Sequence, residues 1–448
     1  MRALIVGGSL GGLFAANLLH RAGWDVRVFE RSGESLSGRG AGIVTHPELV
    51  SALARAGVDP NAALGVEVSG RIVLDARGAT LCEVPRRQVL TSWGRLHRLL
   101  MDALSSSSSA SSSASSSYRH GVTIQRIEER DHSIVVHGSA SDGAIEEEAD
   151  LVVAADGIRS TLREQLLPQV QPRYAGYVAW RGLVDERLLS DETRAVLFER
   201  FGFCLPEGEQ MLGYPVAGAG DSVKPGERRY NFVWYRPADA QRALPDLLTD
   251  ASGRVHASNI APQAIRPDVV SAMRRDAEAV LAPQFAEIVR RTTQPFLQPI
   301  YDLMSPRLAF GRVALVGDAA FVARPHVGMG VTKAAEDAAA LVDALTDSLS
   351  DGRTAAQSDA TVDVRSALLE YEAVRRPIGA AVVERARHLG AYMQAQVKSA
   401  EERAMAVRYR TPRAVMCQTA LSVVAADALE ATELQYRQDG HRDAECAT

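Results

Sequence analysis

The distribution of apolar and polar residues predicts that the chain begins with alternating buried strands and helices. Residues 2–6 form an apolar run of the kind found in a buried parallel strand. The glycine-rich segment 7–12 follows, 13–21 is predicted to be a helix that stops before Gly23, and 25–29 is a second strand. This order predicts a βαβ unit, and the chain is assigned to the α/β fold class.

The pattern changes between about 171 and 300, where the predicted strands are rich in aromatic residues and alternate in polarity. The clearest are 176–181, 210–215 and 229–236, each ending close to Pro or Gly. Such strands are typical of an antiparallel sheet. We expect this sheet to form a lobe of its own and to cover a ligand bound by the first domain.

Other segments fill in the organisation. Residues 66–84 predict a hairpin, and 92–104 predict an amphipathic helix. The serine run from Ser105 to Ser117 has no apolar face, so it is predicted to be a disordered insertion. A long helical region is expected from Ala367 to about 406 with an interruption at Pro377, followed by a last helix near 414–433.

Composition excludes several classes of protein. The 448 residues are 46% hydrophobic and carry a formal charge of −5, so there is no basic field for nucleic acid. No apolar run approaches the length of a membrane span, and the four cysteines lack metal-ligand spacing. We therefore expect a cytoplasmic protein with no nucleic acid partner, no membrane segment and no metal.

The N-terminal turn carries the first chemical signature. Gly7, Ser9 and Gly12 occupy the three positions of a dinucleotide-binding turn, although the middle position is normally glycine. Glu30 closes the second strand, where a carboxylate can bind both ribose hydroxyls of an adenosine. The same carboxylate would repel a 2′-phosphate, which argues against tightly bound NADP.

A second signature lies three hundred residues further on. The apolar strand 312–316 leads into Gly317-Asp-Ala-Ala320, and Gly328-Met-Gly330 opens a helix of small residues. Asp318 can accept hydrogen bonds from sugar-like hydroxyls, while N–H groups at the helix start can donate to carbonyl or anionic oxygens. The two signatures together predict one large cofactor bound by both ends of the chain.

These motifs, with Gly40-Ala-Gly-Ile43 and Asp156-Gly-Ile-Arg-Ser160, resemble those of the single-component FAD-dependent aromatic hydroxylases of the p-hydroxybenzoate hydroxylase fold. The resemblance covers roughly residues 1–390. Segments 91–93, 176–182, 231–236 and 324–326 look like the branch of 2,6-dihydroxypyridine hydroxylase. The implied architecture is a discontinuous Rossmann-like FAD-binding domain, an antiparallel-sheet substrate domain and C-terminal helices.

The resemblance also implies domain limits and cofactor contacts. The FAD-binding domain is expected at 1–170 and 301–380, the substrate domain at 171–300 and a helical region at 381–448. Phe321 and Trp93 depart from the family, which often has His and Arg there. The residues implied in cofactor binding are Gly7, Gly8, Ser9, Leu10, Gly12, Glu30, Arg31, Gly42, Asp156, Arg159, Asp318, Gly328, Met329, Gly330 and Val331.

The implied reaction uses NADH or NADPH, O2 and a flavin C4a-hydroperoxide to hydroxylate a small electron-rich aromatic ring, such as a phenol or hydroxypyridine. A base near the ring would increase its phenolate character, and His326 and His46 are the candidates, with Pro325 beside the first. Tyr214, Trp234 and Tyr235 are candidate substrate contacts. Alternation along the strand sends Trp234 and Tyr235 to opposite faces, so only one of them can face the flavin.

Three other functions remain open from the sequence. A flavin-fold reductase or halogenase would use the same cofactor motifs, although the tryptophan pair and lysine expected of flavin halogenases are not evident. A non-catalytic flavin-binding protein would keep the motifs without turnover. A homodimer formed through the C-terminal helices is left open by the sequence.

Overall fold

The computed structural model describes residues 1–34, 36, 42–109, 116–351 and 363–422. Within these residues the chain forms three sheets. The strands are β1 Arg2–Val6, β2 Asp25–Glu30, β3 Gly42–Val44, β4 Val66–Leu74, β5 Thr80–Ser92, β6 Ser116–His120, β7 Thr123–Glu129, β8 Ile134–Ala140, β9 Gly143–Ala149, β10 Leu151–Ala154, β11 Arg173–Asp185, β12 Arg200–Cys204, β13 Gln210–Val216, β14 Arg229–Pro237, β15 Phe296–Met304, β16 Ala309–Phe310, β17 Val313–Leu315 and β18 Phe321–Val322.

Helices cover both the N-terminal and the C-terminal parts. They are α1 Leu10–Arg21, α2 Pro47–Arg55, α3 Trp93–Ser109, α4 Thr161–Leu166, α5 Asp191–Leu197, α6 Ala243–Leu247, α7 Pro267–Val280, α8 Pro283–Arg291, α9 Gly330–Asp351, α10 Val364–Gly390, α11 Ala400–Tyr409 and α12 Pro412–Gln418. In the part of the chain that the structure describes, no helix combines the length and apolar character needed to cross a bilayer.

The first sheet confirms the predicted βαβ unit and the contribution of both ends of the chain. Its strand order is β16-β17-β10-β1-β2-β6, and β1 pairs in parallel with β2 and β10. Strand β17, which precedes Gly317, pairs in parallel with β10. The carboxyl ends of β1, β10 and β17 therefore lie at one edge of the sheet, where ligands of open α/β sheets bind.

The second sheet is larger than the predicted lobe. Its nine strands run in the order β18-β15-β11-β14-β13-β12-β4-β5-β3, so strands from 42–92 and 321–322 join those of 171–300. One face packs on α7 and α8 through residues such as Trp180 and Phe285. The other face carries a separate apolar cluster that includes Tyr177, Tyr214 and Tyr235.

The serine-rich segment and Pro377 differ from expectation. Helix α3 continues through Ser109, and Ser116 and Ser117 pair with β2, so only 110–115 of the predicted insertion lies outside the described residues. Helix α10 passes through Pro377 without a break. Pro377 lies on the exposed side of that helix, where water can replace the lost hydrogen bond, while neighbouring positions such as Gly379 are buried.

The predicted helix to about 406 ends earlier. Helix α10 stops at Gly390, a short 3₁₀ helix follows at Ala391–Met393, and α11 begins at Ala400. The last predicted helix corresponds to α12, which ends at Gln418, and residues beyond 422 lie outside the described chain.

Candidate cofactor and substrate site

The N-terminal glycine turn has a geometry that only glycine permits. Gly7 has φ +110°, and a Cβ added there would lie 2.3 Å from the carbonyl oxygen of Ala155. A Cβ on Gly12 would lie 1.9 Å from the Gly7 oxygen. The backbone at the start of α1 is thus close to β1 and β10, as the predicted phosphate-binding turn requires.

Glu30 is held at this turn by backbone donors. Its Oε2 accepts a hydrogen bond of 2.9 Å from the Gly8 amide, and its Oε1 accepts one of 2.8 Å from the Ser32 amide. The carboxylate is therefore fixed at the carboxyl end of β2 beside the turn, the position expected for a ribose contact. Arg31 follows as an exposed side chain.

The two residues that open α1 have different roles. Ser9 is the N-cap of α1, and its hydroxyl caps no backbone amide, so it remains available to a phosphate oxygen. Leu10 is buried in the core, which leaves only its backbone for a cofactor contact.

The second turn is fixed by a buried network of charges. Asp337 accepts a hydrogen bond of 3.1 Å from the Gly317 amide, and Lys333 Nζ donates to the Gly317 carbonyl at 2.9 Å. Arg375 Nε donates to the other oxygen of Asp337 at 2.8 Å. Because a buried charge left without its partner is strongly unfavourable, these contacts fix the turn that carries Asp318.

Asp318 itself is open to a cavity although protein surrounds it. Its side chain is exposed there, between the first sheet and α9. Burial raises the pKa of Asp318, the Lys333 ammonium opposes this shift, and Asp337 adds to it. A carboxylate in such a position gains from hydroxyl donors on a ligand.

The start of α9 lies against both turns. Gly328 has φ +66°, and a Cβ added to Gly330 would meet no atom within 4 Å, so there is open space at the first residue of α9. Val331 faces the same cavity, while the side chain of Met329 is buried. The orphan N–H groups of a helix start are suited to carbonyl and anionic oxygens.

Ala334 joins the two signatures. A Cβ placed on Gly11 would lie 3.5 Å from the Ala334 Cβ, and one placed on Gly317 would lie 3.2 Å from it. The turn after β1 and the turn after β17 therefore meet on one face of α9. The prediction that both ends of the chain serve one site is supported by this contact.

The strand-to-helix turn after β10 adds a third acidic group. Asp156 Oδ2 accepts a hydrogen bond of 3.3 Å from Leu162, whereas its buried Oδ1 has no partner within the described residues. Burial raises the pKa of Asp156. Ser160 caps α4, and Arg159 is exposed beside Tyr301. Burial raises the pKa of Tyr301, and the Arg159 cation opposes that shift.

One cavity of about 300 Å³ lies between the turns after β10 and β17, the start of α9 and the second sheet. Its cofactor side includes the predicted residues Asp318, Pro325, Gly328, Gly330 and Val331. Its other walls include Gly42, Arg181, Leu212, Tyr214, Val233, Tyr235, Gln298, Tyr301, Thr419 and Ala420.

Strand register explains which residues face this cavity. Val233 of β14 lies opposite both Leu212 of β13 and Arg181 of β11, and all three line the cavity. Tyr235 lies two residues further along and points to the same face. Trp234 belongs to the opposite face, where its Nε1 donates to Glu209 at 2.8 Å, so its assignment to the substrate site is wrong.

His326 lies one layer behind the cavity. Its Nε2 is 2.9 Å from the Tyr177 hydroxyl, and its ring centroid is 4.2 Å from that of Tyr235. Burial, aided by the Arg324 cation, lowers the pKa of His326 to about 3. The imidazole is therefore neutral at pH 7 and contacts a cavity residue rather than the cavity, which Pro325 lines.

His46 is also buried behind the wall. Its Nδ1 is 3.0 Å from Thr332 Oγ1, and its Nε2 is 3.4 Å from the carbonyl oxygen of Ala420. Burial lowers the pKa of His46. This residue connects the start of α2 with α9 and with the segment after α12, and it is not among the residues that line the cavity.

The segment after α12 is a wall of the site that the sequence did not reveal. Arg71 Nη1 donates to the carbonyl oxygens of Met416 and Thr419 at 2.6 and 2.7 Å, and the Ala420 amide donates to the carbonyl oxygen of His326 at 2.9 Å. Burial lowers the pKa of Arg71 to about 9, so it remains a cation at pH 7. No short sequence motif predicts the contact between Arg71 and Met416, which are 345 positions apart.

The comparisons with known proteins agree with this geometry. The FAD binding domain family matches residues 1–195 and 266–386, and a FAD binding domain-like family matches 174–302. The chain therefore belongs to the FAD binding domain family, binds FAD and is an enzyme.

Individual relatives extend over most of the chain. It is 32% identical to 2,6-dihydroxypyridine 3-monooxygenase of Paenarthrobacter nicotinovorans over 77% of this chain and 83% of that protein. It is 32% identical to 3-amino-4-hydroxybenzoate 2-monooxygenase of Streptomyces cremeus over 87% and 86%. The structure of 2,6-dihydroxypyridine-3-hydroxylase from Arthrobacter nicotinovorans superposes with a TM-score of 0.76 at 29% identity, covering 88% of this chain and 92% of that one.

We predict that Asp318→Ala weakens FAD binding by about tenfold or more, because charge-assisted hydrogen bonds to ligand hydroxyls are lost. FAD titration of the apoprotein, followed by flavin fluorescence, measures the change. The matched control is Asp343→Ala, which removes an exposed carboxylate further along α9. Equal FAD affinity in the two variants would contradict the role of Asp318.

We predict that His326 makes the enzyme less stable in acid. Below about pH 6.5 the unfolded chain binds a proton at this residue, while the folded chain does not until about pH 3. The free energy of unfolding should fall by up to ~1.4 kcal/mol per pH unit in that window. Urea unfolding of His326→Gln should show a smaller decrease between pH 7 and 5 than the wild type.

His132→Gln, which alters an exposed histidine, is the control for this pH series. An unchanged pH dependence in His326→Gln would show that other groups cause the acid sensitivity.

We predict that Arg71→Met loosens the segment 412–422, because two buried carbonyl oxygens lose their donor. Hydrogen exchange of the amides in this segment should become at least about tenfold faster. Arg87→Met, on the adjacent strand and exposed, provides the comparison. The same exchange rates in wild type and Arg71→Met would mean that other contacts hold the segment.

Proposed function

We propose that this enzyme hydroxylates a small electron-rich aromatic or heteroaromatic ring, of phenol or hydroxypyridine type, with NAD(P)H and O2. The observation that supports this most directly is the shared cavity. Asp318 and the start of α9 line one side of it, and Tyr214 and Tyr235 line the other. A ring bound against the tyrosines would thus lie next to the flavin end of the cofactor.

The size of the cavity favours a small substrate. Ligand pockets commonly have volumes of about 300–1,000 Å³, and this one is at the lower end. Aromatic and aliphatic side chains form much of the wall on the side of the second sheet, including Phe201 and Ile300. A planar ring is the shape that such a wall accommodates best.

The tyrosines supply hydrogen-bond donors. Burial raises the pKa of both Tyr214 and Tyr235, so their hydroxyls keep their protons at pH 7. Both tyrosines line the cavity. Each is therefore available to donate to an oxygen on the substrate ring, which would stabilise phenolate character and direct the ring towards the cofactor.

The protein and the cofactor have separate roles in this proposal. When bound, FAD supplies the redox chemistry that activates O2 after reduction by NAD(P)H. The chain holds the pyrophosphate, ribose and ribitol through Gly7–Gly12, Glu30 and Asp318, orients the ring and excludes water. Exclusion of water matters because it protects the activated oxygen from decay before it is transferred to the ring.

The relatives support the reaction class. The two proteins of 32% identity are a dihydroxypyridine monooxygenase and an aminohydroxybenzoate monooxygenase. Both names describe oxygen insertion into a six-membered ring that already carries a hydroxyl group. We extend that chemistry to this chain and leave the particular ring open.

Two finer predictions belong to this proposal. The first is a cytoplasmic location. The second is a homodimer formed through the C-terminal helices, and the exposed apolar residues Leu369, Val374 and Val407 on α10 and α11 favour it.

The test is turnover of the FAD-loaded enzyme with NADH or NADPH and a panel of hydroxypyridines, aminophenols and hydroxybenzoates. We expect at least one compound to stimulate NAD(P)H oxidation and to gain one oxygen atom from ¹⁸O-labelled O2. Hydrogen peroxide measured in parallel gives the uncoupled fraction. If the flavin is reduced but every ring is recovered without new oxygen, the reductase interpretation replaces this one.

A further inference from the structure

The cavity contains a cation that has no carboxylate partner. Arg181 of β11 is half-buried and lines the cavity, and arginine is charged at every physiological pH. Its Nη1 donates to the neutral amide of Gln298 at 2.7 Å, and its Nε has no partner within the described residues. No acidic side chain in that part of the chain lies within salt-bridge distance of Arg181.

Other buried arginines differ because none of them lines the cavity. Arg71 and Arg163 donate to backbone carbonyl oxygens. Three more are held by a carboxylate at 2.8 Å. The pairs are Arg228 with Glu186, Arg324 with Asp302, and Arg375 with Asp337. The charge of Arg181 is thus left to be balanced by something that enters the cavity.

The groups around Arg181 would complete an anion site. Val233 lies opposite it on β14, and Phe296 lies opposite it on β15, with the guanidinium carbon 5.9 Å from the Phe296 ring centroid. The Arg181 charge also acts on Tyr214 and Tyr235. It lowers the pKa of each phenol and so opposes the rise that burial causes. An oxygen anion here would be near one guanidinium and two phenol donors.

The carboxylate of the cavity lies elsewhere. Asp318 is the acidic residue among those that line it, and its charged neighbours are Lys333 and Asp337 on α9. The cofactor side therefore carries the negative charge, and the side formed by the second sheet carries the positive charge. A ligand with an anionic substituent would be oriented by this difference, with the substituent on the sheet.

We propose that Arg181 binds the substrate through an anionic oxygen, and that the enzyme acts on aromatic anions. The shared chemistry is a negatively charged oxygen on the ring, either a phenolate-type oxygen or a carboxylate. This inference rests on the proposed aromatic substrate. It adds that the substrate is an anion and that Arg181 recognises its negative charge.

Binding to the FAD-loaded enzyme tests this without turnover. Benzoate and its neutral counterpart benzamide are titrated, and perturbation of the flavin absorbance gives each Kd. We expect the wild type to bind benzoate about tenfold or more tightly than benzamide. Arg181→Gln should remove this preference, and Arg181→Lys, which keeps the charge, should retain part of it.

A second series distinguishes the two sources of the anion. The Kd of 4-cyanophenol is measured across the pH range in which this phenol loses its proton. Tighter binding of the phenolate by the wild type, lost in Arg181→Gln, identifies a phenolate-type site. A preference confined to benzoate identifies a carboxylate site, and both outcomes support the proposal.

Controls separate charge recognition from general damage. Arg173→Gln changes an exposed arginine on the same strand and should leave both Kd values unchanged. FAD content should be equal in all variants. If Arg181→Gln does not fold, the comparison of benzoate with benzamide in the wild type and Arg181→Lys still decides the question.

Two results would overturn the inference: equal affinity of the wild type for benzoate and benzamide together with pH-independent binding of 4-cyanophenol, or an anion preference that persists in Arg181→Gln. Turnover of neutral rings alone would reject the anion site and leave the hydroxylase function standing. Anion binding through Arg181 without hydroxylation of any ring would support the anion site and reject the hydroxylase function.

Discussion

The packing of α1 against α9 is the constraint on which the site depends. Ala334 lies against Gly11 on one side and Gly317 on the other, since a Cβ built on these glycines would be 3.5 Å and 3.2 Å from the Ala334 Cβ. This contact joins two segments that are more than three hundred residues apart in sequence. It brings the turn after β1, the turn after β17 and the first amides of α9 around one space, so that a single extended cofactor can contact all three.

The buried charges behind this contact explain how the turn stays in place without a ligand. Lys333, Asp337 and Arg375 form a compact group in which each charge has a partner, and two of them also bind the backbone of Gly317. Such a group contributes little net stability compared with an apolar core, but breaking it is costly. Its role here is to hold the turn, because the amide and the carbonyl of Gly317 both bind members of the group.

Much of the cofactor half was predictable because its signals are local. The βαβ unit, the position of Glu30 and the strand before Gly317 follow from short patterns, and the structure confirms them. The substrate half depends on long-range contacts. The sequence did not distinguish Arg181 from other strand residues. The wall formed by Thr419 and Ala420 is held by Arg71, and the hairpin pattern predicts the strand of Arg71 but not its contact with Thr419. The predicted interruption at Pro377 was wrong because this proline lies on the exposed side of α10, where the helix tolerates it. Which side of a helix is exposed depends on tertiary packing.

The two faces of the second sheet have different roles, because one packs in the core and the other faces the cavity. Side chains of β14 alternate, so that Trp234 packs on α7 and α8 while Val233 and Tyr235 face the cavity. A substitution on the cavity face changes the shape or charge offered to a ring and leaves the opposite core intact. Arg181 occupies such a position between neighbours that supply apolar surface and phenol donors. The same scaffold can therefore accept different rings through changes at a few alternate positions, because the cofactor contacts belong to other elements of the fold.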